Sequence, residues 1–199
     1  MIIFILISFI LLSIFLRPKY QEPHVIRNVF TSKTCDRIIS LASDKLKPST
    51  ISLAKGVDET RRKSDTAWLD PRDSNTVEKL METCVSLTDR QFINAEFLQV
   101  LKYKPGGFYK PHQDAFENEK NPRLYTCIIA LNDDYEGGET SFPTLGKDFK
   151  LNKGDVLVFN TLNDWGYTTT KAIHGGKPVL SGEKWICNLW IHKHPYELF

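Results

Sequence analysis

A histidine and an aspartate separated by one residue, His112 and Asp114 in the run Tyr109-Lys110-Pro111-His112-Gln113-Asp114, are two good ligands for a metal ion. On a β-strand, side chains two apart face the same way, so the imidazole and the carboxylate share one side while Gln113 faces the other. A third ligand at His174, with Lys184 ten residues beyond it, gives two histidines and one carboxylate on one face with a cation behind them. That set suits non-haem Fe(II), because three protein ligands leave the opposite positions open for a co-substrate and dioxygen. The His-x-Asp pair alone has a plain alternative, a surface histidine beside a solvated aspartate. Its weight comes from the residues around it.

The last apolar run, Lys184 to His192, sorts by parity. Trp185, Cys187, Leu189 and Ile191 share a greasy face, while Lys184, Ile186, Asn188, Trp190 and His192 share a mixed one. A strand of this kind lines a polar cavity or presents a solvated edge. With His174 just upstream, Lys184 is the natural counter-ion for a carboxylate co-substrate, since a buried ammonium needs an anionic partner.

These residues have to be carried by one domain: 199 residues bury a sizeable core once, and two full domains would be cramped. A net charge of +2, from 26 basic and 24 acidic residues, gives no reason to expect nucleic acid or a strongly acidic partner. The four cysteines are widely spaced with no CxxC, which disfavours a zinc or thioredoxin-like site. Cys127 and Cys187 read as buried thiols, and a Cys35–Cys84 disulfide is left open.

Residues 1–16 are apolar apart from Ser8 and Ser13 and carry no charge before Arg17. As a helix they would reach about 24 Å, slightly less than a hydrocarbon core of roughly 30 Å. No basic leader or small-x-small cleavage site accompanies them, so an uncleaved single-pass anchor in a membrane, such as one of the secretory pathway, is preferred over a signal peptide. Arg17 and Lys19 favour a cytosolic body by the positive-inside tendency, and no N-glycosylation sequon votes for the lumen. A linker over 17–24 then leads into a catalytic-size domain over 25–199.

Within that domain, Val25–Phe30 reads as a strand. Thr31 or Ser32 caps a helix that Pro48 closes, and Ile51–Ala54 reads as another strand. The charged stretch from Lys55 to Asp65 reads as a mobile loop, and a second helix runs from Asp70-Pro71 to about Phe92. Beyond Ala95 come short β-type runs, Phe97–Tyr103, Phe108–Asp114, Leu124–Leu131, Thr140–Phe142, Val156–Phe159 and Lys184–His192, separated by glycine turns. An antiparallel β core of jelly-roll type, supported by two N-terminal helices, brings inward-facing ligands together from distant strands.

The ordered series of motifs resembles the prolyl 4-hydroxylase branch of the Fe(II)/2-oxoglutarate dioxygenases over roughly Val25 to Pro195. The runs that carry the resemblance are Leu98-Gln-Val-Leu-Lys-Tyr103, Gly106-Gly-Phe-Tyr-Lys-Pro-His112-Gln-Asp114, Arg123-Leu-Tyr-Thr126 and Glu136-Gly-Gly-Glu-Thr-Ser-Phe-Pro143. Lys153-Gly-Asp-Val-Leu-Val-Phe159 and the stretch from His174 through Lys184-Trp185 to Trp190-Ile-His192 complete them. The resemblance implies an α+β chain with a double-stranded β-helix core. It implies that His112, Asp114 and His174 bind iron, and that Lys184 holds the distal carboxylate of 2-oxoglutarate with Tyr103, Thr126 and Trp190 beside it. It places His192 among the catalytic residues, and Arg62, Ser64, Glu96, Tyr109 and Arg123 along a peptide groove. It further implies dioxygen as co-substrate, L-ascorbate as reductant for uncoupled cycles, and a proline-containing peptide as substrate.

One departure stands out: many relatives carry a cysteine before the Pro-Val that follows the second histidine, where this chain has His174-Gly-Gly-Lys177-Pro-Val. Its absence weakens the case for an oxidising compartment. Peptidyl lysine or an alkylated base would use the same iron site, and a membrane-tethered, non-catalytic binding module is a further alternative. Balanced charge and the Arg62-Lys-Ser64 loop favour a peptide. Oligomeric state is left open.

Overall fold

A computed structural model describes residues 17–50 and 56–196. The expected anchor over 1–16 and the expected strand Ile51–Ala54 lie outside the described residues, among which no helix is long and apolar enough to cross a membrane.

The strands in chain order are β1 (His24–Ile26), β2 (Lys47–Pro48), β3 (Arg62–Lys63), β4 (Asp65–Leu69), β5 (Leu98–Tyr103), β6 (Phe108–His112) and β7 (Arg123–Ala130). There follow β8 (Tyr135–Gly137), β9 (Thr140–Phe142), β10 (Lys147–Phe149), β11 (Val156–Asn160), β12 (His174–Gly176), β13 (Val179–Gly182) and β14 (Lys184–His192). Seven of them form a large sheet in the order β1-β11-β7-β14-β5-β4-β2, and five form a smaller one, β10-β9-β12-β6-β3. The pairing is antiparallel throughout. Two facing sheets with long-range pairing make a double-stranded β-helix.

Two helices, α1 (Ser32–Ser43) and α2 (Asn75–Ser86), cover the outer face of the large sheet. Their buried residues Cys35, Ile38, Val77, Leu80 and Met81 join Val100, Cys127, Cys187, Leu189 and Ile191 in one core. The other face of the same strands turns inward, where Leu101, Ile128 and Ile186 meet Phe142, Phe159 and Tyr103 in a second core between the sheets. The parity of β14 is thus the parity of the whole sheet. Burying apolar side chains on the helix-covered face leaves the alternate positions free to line the interior.

Thr31 caps α1 through its hydroxyl, which accepts from the Thr34 amide at 3.2 Å. The helix ends at Ser43, before Pro48, which lies in β2. The second helix is shorter than the sequence predicts. Asp70-Pro71 opens only a single 3₁₀ turn, because Ser74 is extended and its hydroxyl accepts from the Thr76 amide, so that α2 starts at Asn75. At the far end the Ser86 and Thr88 hydroxyls donate to carbonyls of the last turn, and the helix stops at Ser86 instead of Phe92. The charged stretch read as a loop also holds β3, paired with β6. Cys35 and Cys84 are both free and buried, as are Cys127 and Cys187, so the possible disulfide is not formed.

Candidate metal centre

Residue 112 ends β6 and residue 174 begins β12, and these strands pair so that His112 and His174 are direct partners. Such close approach depends on Gly175. An added Cβ there would sit 2.7 Å from the Tyr109 carbonyl oxygen and 3.0 Å from the Pro111 nitrogen, both backbone atoms that cannot swing aside. Asp114 lies just past β6 and is buried. Its two carboxylate oxygens lie 3.6 Å from His112 Nε2 and 3.6 Å from His174 Nε2. Among the described residues, the only cluster of this kind is His112, Asp114 and His174, with ligand atoms all within 4.8 Å of one another.

The imidazole hydrogen bonds select the ligating nitrogen. His112 Nδ1 donates to the Lys110 carbonyl at 2.9 Å, and His174 Nδ1 donates to the Ala172 carbonyl at 3.1 Å. A carbonyl can only accept, so each Nδ1 carries a proton and each Nε2 is the nitrogen turned toward Asp114, free to ligate in the neutral ring. Burial, opposed by Asp114 and aided by His112, draws the His174 pKa down to about 4, which keeps the ring neutral. Burial pushes the Asp114 carboxyl up, but His174, His112 and Arg123 outweigh it and hold the group well below the usual carboxylate range. Two Nε2 atoms and one carboxylate fit a divalent cation of the Fe(II) type.

Thr126 on β7 points its hydroxyl at this carboxylate, donating to Asp114 Oδ2 at 2.7 Å. That bond leaves the side chain next to the cluster, where the resemblance expects it beside the co-substrate. Lys184 at the start of β14 is buried and faces Tyr103, its partner on β5, with Nζ 5.5 Å from the ring centre. The ammonium donates to the Gly138 carbonyl at 2.7 Å and has no ion-pair partner among the described residues. Burial, with Lys150 adding to it and Glu139 opposing, draws its pKa down to about 8. A desolvated cation with spare donors fits the carboxylate of a co-substrate.

The remaining predicted residues fall into two groups. Glu96, His192 and Trp190, all buried, form one network with the half-buried Arg123. Arg123 grips Glu96 through two bonds of 2.5 and 2.9 Å, His192 Nε2 donates to Glu96 Oε1 at 2.8 Å, and the guanidinium lies 3.7 Å over the Trp190 ring. The His192 Nδ1 faces the Asn121 carbonyl at 2.7 Å. Arg62 and Tyr109 form the second group with Ser64. The Arg62 guanidinium sits 4.6 Å over the Tyr109 ring, which stacks on His112 with centroids 3.7 Å apart, and Arg62 Nε donates to Ser64 Oγ at 3.0 Å. A continuous stack therefore runs from the β3 segment to His112.

Sequence reasoning did not single out Trp68, which is exposed on β4 and lies 6.0 Å from Trp190. Its signal was the alternation of Ala67 and Leu69, buried under the helices, with Thr66 and Trp68 on the opposite face. Gln99 was also missed. It is buried and accepts from Asn188 at 3.2 Å. Among the described residues the buried side-chain polar atoms without a partner are Arg62 Nη2, Asn188 Oδ1 and Trp190 Nε1, all borne by residues of these groups or their strand neighbours. Orphaned polar atoms of this sort are what a ligand satisfies.

Residues 98–192 match the family model of the 2OG-Fe(II) oxygenase superfamily. The chain is 33% identical over 188 residues to a protein of Acanthamoeba polyphaga mimivirus assigned as a prolyl 4-hydroxylase, with 89% of this chain and 76% of that one covered. It is 31% identical over 192 residues to prolyl 4-hydroxylase 1 of Arabidopsis thaliana, covering 85% of this chain and 68% of that one. A solved structure of the viral collagen prolyl hydroxylase of Paramecium Bursaria Chlorella virus-1, in complex with 2OG, superposes with a TM-score of 0.73 at 28% identity, covering 86% of this chain and 96% of that one.

Proposed function

The chain belongs to the 2OG-Fe(II) oxygenase superfamily, in its prolyl 4-hydroxylase branch, and from that premise we propose that it hydroxylates peptidyl proline. The single observation that carries the reading is the joint presence of the His112–Asp114–His174 cluster and a buried, carboxylate-free Lys184 on the facing sheet. Fe(II) bound by that cluster, with 2-oxoglutarate and dioxygen, supplies the oxidising chemistry: one oxygen atom enters the substrate C–H bond and the other enters succinate as carbon dioxide leaves.

The protein's own residues do the positioning. His112 and His174 offer Nε2 because backbone carbonyls hold their Nδ1 protons, and Thr126 fixes the rotamer of Asp114. Lys184 pairs with the distal carboxylate of 2-oxoglutarate, with Tyr103 as the apolar wall beside it. Arg62, Ser64 and Tyr109 on one side, and Trp190, Arg123, Glu96 and His192 on the other, supply the aromatic surface and donors for an extended peptide. The orphaned Arg62 Nη2 and Trp190 Nε1 support that role, since a peptide carbonyl would satisfy either.

Ascorbate as reductant accompanies this reading through the family. Attachment to a membrane rests on the apolar run 1–16 alone, which supports a single-pass tether in a secretory membrane. Incubation of the Fe(II)-loaded protein with 2-oxoglutarate and proline-rich peptides should add one oxygen, about 16 Da, to proline. Oxygen on lysine, or loss of an alkyl group from a base, would assign a different substrate to the same site.

A further inference from the structure

Two of the seven large hydrophobic residues exposed among the described residues, Trp165 and Tyr167, share one turn, 163–167, in the connection from β11 to β12. They are 53% and 67% exposed. The turn is closed on itself. Asn163 Oδ1 accepts from the Trp165 and Tyr167 amides at 3.0 and 3.1 Å, and the Asn163 amide donates to the Tyr167 carbonyl at 2.9 Å. Gly166, between the two rings, completes the reversal with a φ of 81°. Rings presented on a fixed backbone lose little entropy when they bind.

The N-terminal segment is strapped to the domain at this same turn. Lys19 and Asp164 exchange two bonds: the Lys19 amide donates to Asp164 Oδ1 at 2.7 Å, and the Asp164 amide donates to the Lys19 carbonyl at 2.9 Å. One residue on, the Tyr20 hydroxyl donates to the Asn160 carbonyl at 2.8 Å. Lys19 is three residues from the end of the apolar run at residue 16, a reach of at most about 11 Å. With that run in a bilayer, whose headgroup layer is about 5–8 Å deep on each side, the turn is held at the headgroups. The charges agree. Arg17 and Lys19 are exposed, and Lys193 Nζ lies 3.9 Å from where a Cβ on Gly166 would sit. Against them stand Asp164, whose Oδ1 is engaged by the Lys19 amide, and Glu117, which meets the Thr168 hydroxyl at 3.5 Å. Cations beside a Trp and Tyr pair are the composition of a membrane-interface anchor.

We propose that turn 163–167 docks on the membrane interface: Trp165 and Tyr167 enter the headgroup region of the bilayer that holds residues 1–16, with Arg17, Lys19 and Lys193 on lipid phosphates. The inference rests on the tether reading and adds an orientation to it, since a body strapped at Lys19 and docked at Trp165 no longer swivels freely on its anchor. Trp and Tyr suit this depth because the apolar ring is buried while its N–H or O–H stays in the wet layer.

The test uses the full chain reconstituted in vesicles of phosphatidylcholine and phosphatidylserine, with and without bromine on the upper acyl chains, where it quenches tryptophan on contact. Bromine should remove roughly half or more of the Trp165 emission, read as the difference between the unaltered chain and Trp165→Phe, because an interfacial ring occupies the outer ~5–10 Å of the layer. Emission from Trp68, Trp185 and Trp190, which is all that the Trp165→Phe chain retains, should not respond. Moving the reporter to the second ring, with Tyr167→Trp in the Trp165→Phe chain, should restore the quenching. Both positions are exposed, so neither change disturbs the core. A chain that floats with the vesicles but shows no bromine effect at 165 or 167 would overturn the docking and leave the tether standing. Trp165 emission that follows protein density in bromine-free vesicles, and not bromine, would give the face to a second copy and overturn the docking as well. Failure to float with the vesicles would overturn both docking and tether.

Discussion

His112 and His174 are partners across an antiparallel strand pair, and each donates its Nδ1 proton to the carbonyl two residues before it on its own chain segment. The symmetry makes the two Nε2 atoms equivalent donors. Replacing either histidine by alanine should weaken Fe(II) or Co(II) binding by more than about a hundredfold, beyond what the loss of an outer partner costs. Isothermal titration with the metal alone reads this directly, and near-normal affinity in either variant would remove that residue from the site. Folding should be largely kept, because His112 ends a strand of the smaller sheet and lies outside both apolar cores.

Gly175 should be nearly as sensitive as the ligands, although it offers no side chain. In Gly175→Ala the new methyl group meets backbone of β6, so β12 must retreat by several tenths of an ångström and carry His174 with it. Overpacking of this kind costs about 1–3 kcal/mol. Metal affinity should fall together with the thermal midpoint, whereas affinity equal to that of the unaltered protein would show that the strands part without moving the histidine.

Lys184 should give 2-oxoglutarate binding a pH dependence. Its folded-state pKa is drawn down to about 8 by burial, so below that pH the ammonium is present to meet the carboxylate, and above it the proton must first be taken up. The KM for 2-oxoglutarate should therefore be flat below pH 8 and rise by up to about tenfold per unit above it. Lys184→Ala should raise KM by about ten- to a hundredfold at pH 7, the worth of a charge-assisted bond, and abolish the pH trend. An unaltered protein whose KM does not change up to pH 10 would contradict the pairing.

The Glu96 network should appear in the acid limb of stability. Burial raises the Glu96 pKa, but His192 and Arg123 outweigh it and hold the carboxyl below its ordinary value. A depressed carboxylate contributes stability that is fully present above the unfolded pKa, roughly 4.3, and is lost as pH falls through the folded value. Glu96→Gln should cost about 2–4 kcal/mol at pH 7, a little under the usual range for a buried pair because the Arg123 side chain is a quarter exposed. It should also flatten the loss of stability below pH 4, measured by urea unfolding. An unchanged acid limb would show the network to be solvent-screened.

Much of this arrangement was legible before any coordinates. The β core and the inward face of β14 follow from period-two alternation, because one face of each strand has to be buried under helices, whereas the grouping of His174 with His112 and Asp114 rested on the motif series as a whole. The end of α2 was not legible, since Ser86 and Thr88 compete for backbone carbonyls only once the chain is folded there. Nor was the β3 pairing, in which a charged segment is recruited by its backbone to β6 and its side chains had no pattern to show. The bond from the Thr126 hydroxyl to Asp114 was not legible either, because it depends on how the two sheets face each other.

The most direct measurement is simultaneous quantification of succinate and 4-hydroxyproline from one Fe(II)-loaded reaction containing 2-oxoglutarate and a proline-rich peptide. A one-to-one yield in the unaltered protein, with both products lost in Asp114→Ala, is the expected result. Succinate formed without hydroxyproline on any proline-containing peptide, or hydroxyproline formed at full rate by the Asp114 variant, would contradict it.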